Sequence, residues 1–503
     1  MPSRMPPVRS GWRDFRGVLR PAGAVICGLA FAQAACAVAG GAYEWSVLPR
    51  TRDPIDVVSQ LAGALATAFV GMVAYLYGRR HRVALSRREA VLAVVIIWMA
   101  AGTFGAVPFV LGAGMSPIDA FFESVSGFST TGATVVRDAE RTLSPALMLW
   151  RSLTQWLGGM GIVVLFVAVF PSLGAGGKHM FKGEVPGATT EGLKPRIAET
   201  SFTLWKLYAA FTIIDIVLLG LLGMPWFEAV CHGFATLSTG GFSTRNASIA
   251  AFDSYPIEAV TLAFMFLGGI NYGLFYALFR GRSVRAVLRN TELRVYAGVT
   301  LLFVLALTLG LLSDTGGDVV EAARRASFRV VATLSSTSFA IDDYAAYPGP
   351  VLMLFLVMMF VGGCSGSTAG GFKIERVVLM AKSAWAELRR SFRPSVVQVV
   401  RLGRSAVPAD VLTEVAVLFG VYAACLFGGA FVVVLFDGVP IPTALGAMLS
   451  CLSNMGPAPF HQGADDFAAY GAASKMIFAL AMIVGRLEFF TVFALLVPDF
   501  WKR

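Results

Sequence analysis

Four short segments rich in serine, threonine and glycine interrupt the long apolar runs of this sequence, at 129–134, 238–243, 335–340 and 453–457. Polar backbone at membrane depth is costly, so it persists only inside protein or along a water-filled path. Backbone carbonyl oxygens arranged in a ring can replace the hydration shell of a cation. Four such segments in one chain therefore predict four walls of a single ion pore.

These segments supply the candidate ion-binding residues. They are Thr130, Thr131, Gly132, Ser238, Thr239, Gly240, Thr337, Ser338, Asn454, Met455 and Gly456. Glycine adopts dihedrals that other residues avoid, so successive carbonyls can face one way. A short apolar run precedes each segment, and Ser116-Pro117 is typical of a helix start. Such a helix would aim its partially negative C-terminal end at the pore axis, which favours a cation. A single such glycine usually marks a turn, but four with the same flanks favour a filter.

A second polar feature lies at 362–371, where glycines and serines interrupt the apolar run of the third unit. Glycine at this density breaks a helix, and serine can satisfy the freed backbone. We predict a gating loop of Gly362, Gly363, Ser365, Gly366, Ser367, Gly370 and Gly371, with Arg486 as its partner. A buried arginine within the last apolar helix is expensive and marks function by default. The alternative for the glycines is a helix-packing face.

Composition places the chain among membrane proteins. Of 503 residues, 56% are hydrophobic and only 14% are charged, with a mean hydropathy of +0.70. Many apolar runs reach about 20 residues, the length that spans a bilayer. The net charge of +10 indicates contact with anionic lipid, not nucleic acid. The six cysteines are interpreted as small buried residues, and the four histidines lack ligand spacing. These features predict an all-α polytopic membrane protein that is not an enzyme.

The order of the runs predicts two N-terminal helices followed by four quasi-repeats of helix, pore helix, filter loop and helix. We divide the chain at 1–88 (tail and two extra helices), 89–200, 201–290, 291–410 (with the gating loop) and 411–503. The run at 22–41 is an anchor helix in this interpretation, with a signal peptide as the alternative. Basic residues fill every loop between the units, which predicts cytoplasmic loops and cytoplasmic termini.

Several motifs resemble the Trk/Ktr/HKT superfamily of cation transporters. They are SVSGFSTTGATVV (124–136), QWLGGMGIVVL (155–165), FATLSTGGFSTRN (234–246), GGCSGSTAGGFKIER (362–376), SNMGP (453–457) and GRLEFFT (485–491). The two extra N-terminal helices make the chain similar to the TrkH branch. The resemblance implies a potassium-uptake subunit of the cytoplasmic (inner) membrane, with K⁺ as the transported ion. It assigns Gly132, Gly240 and Gly456 as filter glycines, with Ser338 where the family usually has glycine.

The same resemblance implies partners. Family members are typically homodimers that dock on a cytosolic ring of nucleotide-binding RCK subunits. The sequence itself holds no nucleotide motif, because Gly159-Met160-Gly161 lies within an apolar run and lacks a strand–turn–helix context. Nucleotide control would therefore come from such a partner.

Other functions remain open at this point. Serine at position 338 suggests a Na⁺-permeable or Na⁺/K⁺ transporter of the same family, since one filter serine accompanies sodium permeation in the related plant HKT branch. A secondary transporter for an organic substrate also uses broken helices at the midplane. Four units that enter from one side disfavour that carrier, because such carriers usually show inverted pairs. A membrane enzyme is disfavoured by the lack of a paired acid and base, a nucleophile with a base, or a metal cluster in the sequence.

Overall fold

The computed structural model of this protein describes residues 16–47, 55–79, 86–168, 193–279, 281, 283–393, 399–403, 405–460 and 467–502. Most of the predicted N-terminal tail (1–15) and of the loop between the first two units (169–192) lies outside these residues. The described secondary structure is helical apart from one antiparallel ladder of Arg401–Leu402 with Ser405–Ala406. The predicted all-α class is confirmed.

Two long N-terminal helices lie side by side against the first unit. They are α1 (Arg16–Val47) and α2 (Ile55–Gly78), and α1 also contacts the first and last helices of that unit. The helices of the first unit are α3 (Arg87–Gly105), α4 (Val107–Ala113), α5 (Pro117–Phe128), α6 (Ala139–Thr142) and α7 (Pro145–Ala168). The capping box of Ser86 and Glu89 begins α3, because each side chain satisfies the other residue's free backbone N–H.

The other units follow the same order. The second contains α8 (Leu193–Leu221), α9 (Trp226–Leu237), a 3₁₀ turn (Ser248–Phe252), α10 (Tyr255–Gly268), α11 (Tyr272–Phe279) and α12 (Val284–Leu288). The third contains α13 (Thr291–Leu311), α14 (Val319–Leu334), a 3₁₀ turn (Tyr344–Ala346), α15 (Gly349–Val361) and α16 (Ile374–Phe392). The fourth contains α17 (Ala409–Asp437), α18 (Ile441–Leu452), a 3₁₀ turn (Phe467–Ala469), α19 (Ala472–Arg486), α20 (Phe490–Phe493), a 3₁₀ turn (Ala494–Leu496) and α21 (Pro498–Trp501).

The short helices α5, α9, α14 and α18 are those that the sequence predicted as pore helices, and their ends follow from their sequences. Ser116 caps α5 by accepting a hydrogen bond from the backbone N–H of Asp119, as predicted. Asp318 caps α14 in the same way through Val320 and Glu321. Each pore helix ends at a buried serine, namely Ser129, Ser238, Ser335 and Ser453. The four polar segments thus begin at equivalent points.

The inner helices that follow the polar segments are broken in three of the four units. A bend of 90° separates α10 from α11, and one of 105° separates α19 from the short helices after it. The loop at 362–373 separates α15 from α16. The sequence predicts one helix after each polar segment, and in the second and fourth units the structure divides that helix by a sharp bend. Gly269 and Asn271 lie at the first break, and Glu488 and Phe489 have left-handed backbones at the second.

Length and apolar composition identify six described helices that could cross a membrane, or eight if each bent pair is one span. This agrees with the predicted polytopic class. The break after α19 also corrects the placement of Arg486, which is the last residue of that helix and not part of a continuous span.

Candidate ion pore

The four polar segments share one backbone pattern. In each, two residues separated by one neighbour have left-handed dihedrals, with φ between 51° and 104°. These pairs are Thr130 and Gly132, Thr239 and Gly241, Ser336 and Ser338, and Asn454 and Gly456. We call the three consecutive residues the first, second and third filter positions. Few non-glycine residues adopt this conformation, so four recurrences indicate a common built geometry.

This pattern corrects one equivalence predicted from the sequence. The N–H of Gly240 donates to the carbonyl of Ala235, as Thr131 does to Ser126 and Met455 does to Ser450. Gly240 therefore occupies the second position, and Gly241 is the counterpart of Gly132 and Gly456. Gly240 lacks the left-handed dihedral that Gly241 has, at φ 76°. The predicted residue Ser238 is the terminal cap of α9 and precedes the three positions.

Contacts between neighbouring segments close a ring. A β-carbon added to Gly132 would lie 2.2 Å from the carbonyl oxygen of Gly240, and one on Gly241 would lie 1.7 Å from that of Thr337. One on Gly456 would lie 2.6 Å from the carbonyl oxygen of Thr131. Each third position thus abuts the second-position carbonyl of the next unit, in the order one, two, three, four and back to one.

In the third unit, the side chain of Ser338 makes the corresponding contact and completes the ring. Its hydroxyl donates a hydrogen bond to the carbonyl of Met455, the second-position residue of the fourth unit. Its backbone is left-handed, with φ 62°. Serine therefore adopts the dihedral that glycine has in the other three segments, and it places a donor on a filter carbonyl.

The glycine-rich loop lies against the ends of the pore helices. The N–H of Gly370 donates to the Ser336 hydroxyl at 2.7 Å, and that of Gly371 donates to the Ser453 carbonyl at 2.8 Å. The Thr368 hydroxyl lies 3.0 Å from the Leu237 carbonyl. The loop therefore contacts the second, third and fourth segments where each begins, which is where a gate would act.

Arg486 connects this loop to the first unit. One guanidinium nitrogen donates to the Thr368 carbonyl at 2.7 Å, and the other donates to the Gly158 carbonyl at 3.3 Å. The side chain is buried, whereas Glu488 pairs with Arg376 and leaves Arg486 without a carboxylate partner among the described residues. The predicted residues of the gating loop and Arg486 are thus brought together.

Further hydrogen bonds hold the loop in place. The Glu292 carboxylate accepts a hydrogen bond from the N–H of Ser365, and the N–H of Cys364 donates to the Gly269 carbonyl at the break of the second inner helix. Lys373 has a left-handed backbone and donates to the Ala369 carbonyl. The loop is thus bonded directly to residues of the second, third and fourth units, and to the first unit through Arg486.

In three of the four units, a polar side chain of the short helix anchors the chain that follows the polar segment. Glu123, His232 and Arg329 each stand seven residues before the first filter position of their unit. Glu123 accepts from Thr134 at 2.9 Å, and His232 lies 2.9 Å from the hydroxyl of Ser243. Arg329 donates to Asp342 at 3.1 Å. Three residues of different type at equivalent positions thus each bond to the chain that follows their segment.

Charged residues at the N-terminal end of α14 form a network outside the candidate membrane spans. Arg324 holds the Glu321 carboxylate with two bonds of 2.7 and 2.8 Å, and Arg325 adds a third at 2.7 Å. Arg324 also pairs with Glu258 of the second unit at 2.6 Å. These hydrogen bonds, with that from Arg324 the largest, lower the pKa of Glu321 to about 2.

Sequence reasoning missed several residues of this site. Gly241 and Ser336 are filter positions by backbone geometry, and Gln155 of α7 bonds to the second segment. The equal spacing of Glu123, His232 and Arg329 was a signal in the sequence. Gln155 was a weaker signal in the sequence, because it is a single amide side chain within an apolar run.

Comparison with known proteins supports one family throughout the chain. The family model described as TrkH, cation transport protein, matches residues 59–502. The Trk system potassium uptake protein TrkH of Salmonella typhimurium is 37% identical over 86% of this chain and 90% of its own length. That of Halomonas elongata is 38% identical over 87% of this chain and 91% of its own.

A solved structure gives the same result. The crystal structure of the potassium transporter TrkH from Vibrio parahaemolyticus matches with a TM-score of 0.86 and 32% identity, over 97% of this chain and all of the other. These relatives are transport proteins and not enzymes, which agrees with the sequence prediction. The predicted resemblance is confirmed, and this chain belongs to the TrkH family of cation transport proteins.

Proposed function

We propose that this protein carries K⁺ into the cell through the ring formed by its four polar segments. The observation that carries the proposal is the closed cycle of contacts between third-position residues and second-position carbonyls. A ring of backbone carbonyls can replace the hydration shell of a cation at its centre. The relatives named as potassium uptake proteins support K⁺ as the ion.

The loop at 362–371 is the gate in this proposal, with Arg486 as the residue that holds it closed. Support comes from its bonds to Ser336 and Ser453 and from the bond between Arg486 and Thr368. A cation at this point also repels K⁺ along the path. Opening would require these bonds to break together, which a conformational change in a partner could drive.

The setting of the protein is part of the same proposal. We place it in the cytoplasmic (inner) membrane with both termini in the cytoplasm, on the evidence of its basic loops between units. It acts as a homodimer on a cytosolic RCK-type nucleotide-binding subunit, as the family resemblance implies. Copurification of the full-length chain with that subunit, with and without nucleotide, tests the partner.

Ser338 favours a second candidate within the same class, a carrier that also admits Na⁺. Its hydroxyl donates a hydrogen bond to the Met455 carbonyl, which is one of the carbonyls proposed to bind the ion. The ring is therefore not four-fold equivalent. A weaker or distorted carbonyl set discriminates less between K⁺ and Na⁺. An organic-substrate carrier has no comparable supporting observation among the described residues.

The decisive experiment is cation flux with the purified protein in liposomes, using K⁺, Rb⁺, Na⁺ and Li⁺ in turn. K⁺ and Rb⁺ flux that exceeds Li⁺ flux supports the proposal, and comparable Na⁺ flux supports the second candidate. Transport of an organic solute without cation flux would refute both.

A further inference from the structure

Gln155 bonds to the backbone on both sides of Gly241 in the second polar segment. Its side-chain nitrogen donates to the carbonyl of Gly240 at 2.7 Å, and its side-chain oxygen accepts from the N–H of Phe242 at 3.0 Å. The two bonds enclose Gly241, the left-handed residue of this segment. The side chain is completely buried, so the bonds do not compete with bulk water.

The segment that Gln155 holds is the one with the least intrinsic stiffness. Its second and third positions are both glycine, whereas the other segments have Thr131-Gly132, Thr337-Ser338 and Met455-Gly456. Glycine loses more conformational freedom on ordering than any other residue. A filter with one loose wall could close around a smaller ion, which lowers discrimination between ions. An external restraint is needed here more than in the other three segments.

Gly240 and Gln155 fit each other sterically. A β-carbon on Gly240 would lie 2.3 Å from the Gln155 side-chain carbonyl carbon and 2.6 Å from its oxygen. All three of the nearest atoms that it would meet belong to Gln155. Gly240 has no left-handed φ that would demand glycine. The glycine is therefore explained by the space that the glutamine side chain takes.

Arg151, one helical turn before Gln155, continues the same contact surface of α7. It donates to the Ser243 carbonyl at 3.1 Å and lies over the Phe242 ring at 3.5 Å from its centroid. An ion pair with Glu123 at 2.7 Å fixes the guanidinium. The first unit thus supports the second segment from Gly240 to Ser243 with two successive turns of one helix.

We propose that Gln155 is a positioning residue that sets the ion selectivity of the filter by replacing, from outside, the stiffness that Gly240 lacks. The proposal rests on the function proposed above, because it assumes that the segments form the filter. In this proposal, a residue of α7 in the first unit controls the position of the filter carbonyls in the second unit.

The test measures Na⁺ competition against Rb⁺ uptake in liposomes with the full-length protein. In Gln155→Ala we expect the preference for Rb⁺ over Na⁺ to fall about tenfold, since two hydrogen bonds to the filter backbone are lost. Gly240→Ala alone should lose most flux because of the steric clash. The double variant Gln155→Ala with Gly240→Ala should recover at least a third of the lost selectivity, because alanine stiffens the segment and now has space.

Gln33→Ala is the matched control. Gln33 is also buried and also donates to a backbone carbonyl, that of Phe104 at 2.8 Å, but it lies in α1. Its variant should keep the wild-type selectivity. Recovery in the double variant is a result that a merely structural role of Gln155 would not produce. If Gln155→Ala does not insert, Gln155→Met removes the same two bonds with nearly the original volume and carries the same expectation.

Two outcomes would overturn the inference. One is wild-type selectivity in Gln155→Ala or Gln155→Met, and the other is a double variant no more selective than Gln155→Ala. If either occurs while the wild type conducts K⁺ and Rb⁺, the proposed function stands and only the role of Gln155 is refuted. Absence of all cation flux in the wild type would refute both.

Discussion

The Ser338 hydroxyl donates a hydrogen bond to the Met455 carbonyl across the boundary between the third and fourth units. The other three third positions are glycine, so none of them can donate a side-chain hydrogen bond to the next unit's carbonyl. The Met455 carbonyl is therefore shared with a donor that belongs to another third-position residue, whereas the Gly240 carbonyl accepts from Gln155 of α7. A carbonyl that accepts such a bond is a poorer ligand for an ion, because part of its negative charge is already compensated.

We expect Ser338→Gly to raise the preference for K⁺ over Na⁺ about fivefold, since it frees a carbonyl from a hydrogen bond worth about 1 kcal/mol. Competition of Na⁺ against Rb⁺ uptake is the measurement. Asp253→Gly is the control, because it also replaces a left-handed non-glycine residue, at φ 43°, but on the exposed surface. Equal selectivity in wild type and Ser338→Gly would mean that Ser338 is a tolerated substitution.

The ring also predicts which glycine cannot change. In Gly241→Ala the new β-carbon would lie 1.7 Å from the Thr337 carbonyl oxygen, so we expect loss of at least nine-tenths of K⁺ flux in liposomes, about 1.4 kcal/mol or more. Gly114→Ala is the matched control, since Gly114 is left-handed at φ 63° with open space around it. Gly114→Ala introduces backbone strain without a steric clash, so its K⁺ flux should stay near that of the wild type. Full flux in Gly241→Ala would argue against the ring as the ion path.

The sequence predicted the number and order of these segments, because apolar runs and polar interruptions are visible at the scale of whole helices. It could not distinguish Gly240 from Gly241, since adjacent glycines look alike until the bond from Gly240 to Ala235 fixes the register. The partner of Ser338 is 117 residues away, a distance that no local pattern spans. At the two helix breaks, the Gly269 carbonyl accepts from the N–H of Cys364 and Glu488 pairs with Arg376, and both contacts are likewise tertiary.

Acid should weaken the ion-pair network around Glu321 at the N-terminal end of α14. Its pKa is about 2 in the folded protein, below the value of about 4.3 for an unperturbed glutamate. Because the folded pKa is lowered, this stabilisation is complete above about pH 4.3 and is lost as the pH falls towards 2.

We expect Glu321→Gln to lose about 1 kcal/mol of stability at pH 6, a modest value because a quarter of the side chain is exposed. The difference from wild type should shrink as the pH falls below 4. Thermal unfolding in detergent from pH 6 to pH 3 measures this. Glu387→Gln, in an exposed pair with Arg390, should follow the wild-type pH dependence. A constant difference at every pH would contradict the assignment.

Arg486 gives the test of the gate. Its bonds to Thr368 and Gly158 tie the loop to the first unit, and its charge lies beside the loop without a carboxylate partner among the described residues. Removing it should release the loop and remove the repulsion that K⁺ would meet. We therefore expect Arg486→Ala to raise K⁺ flux at least severalfold in liposomes that contain no cytosolic partner.

Two comparisons separate gating from general damage. Arg486→Gln keeps hydrogen-bond donors but not the charge, so an intermediate flux would apportion the effect between the tether and the repulsion. Arg376→Gln breaks the nearby ion pair with Glu488 without touching Thr368, and it should raise flux less than Arg486→Ala does. If Arg486→Ala inserts normally and its flux is unchanged or lower, the loop is not held as a gate by this arginine, and deletion of 364–369 should then leave the flux unchanged as well.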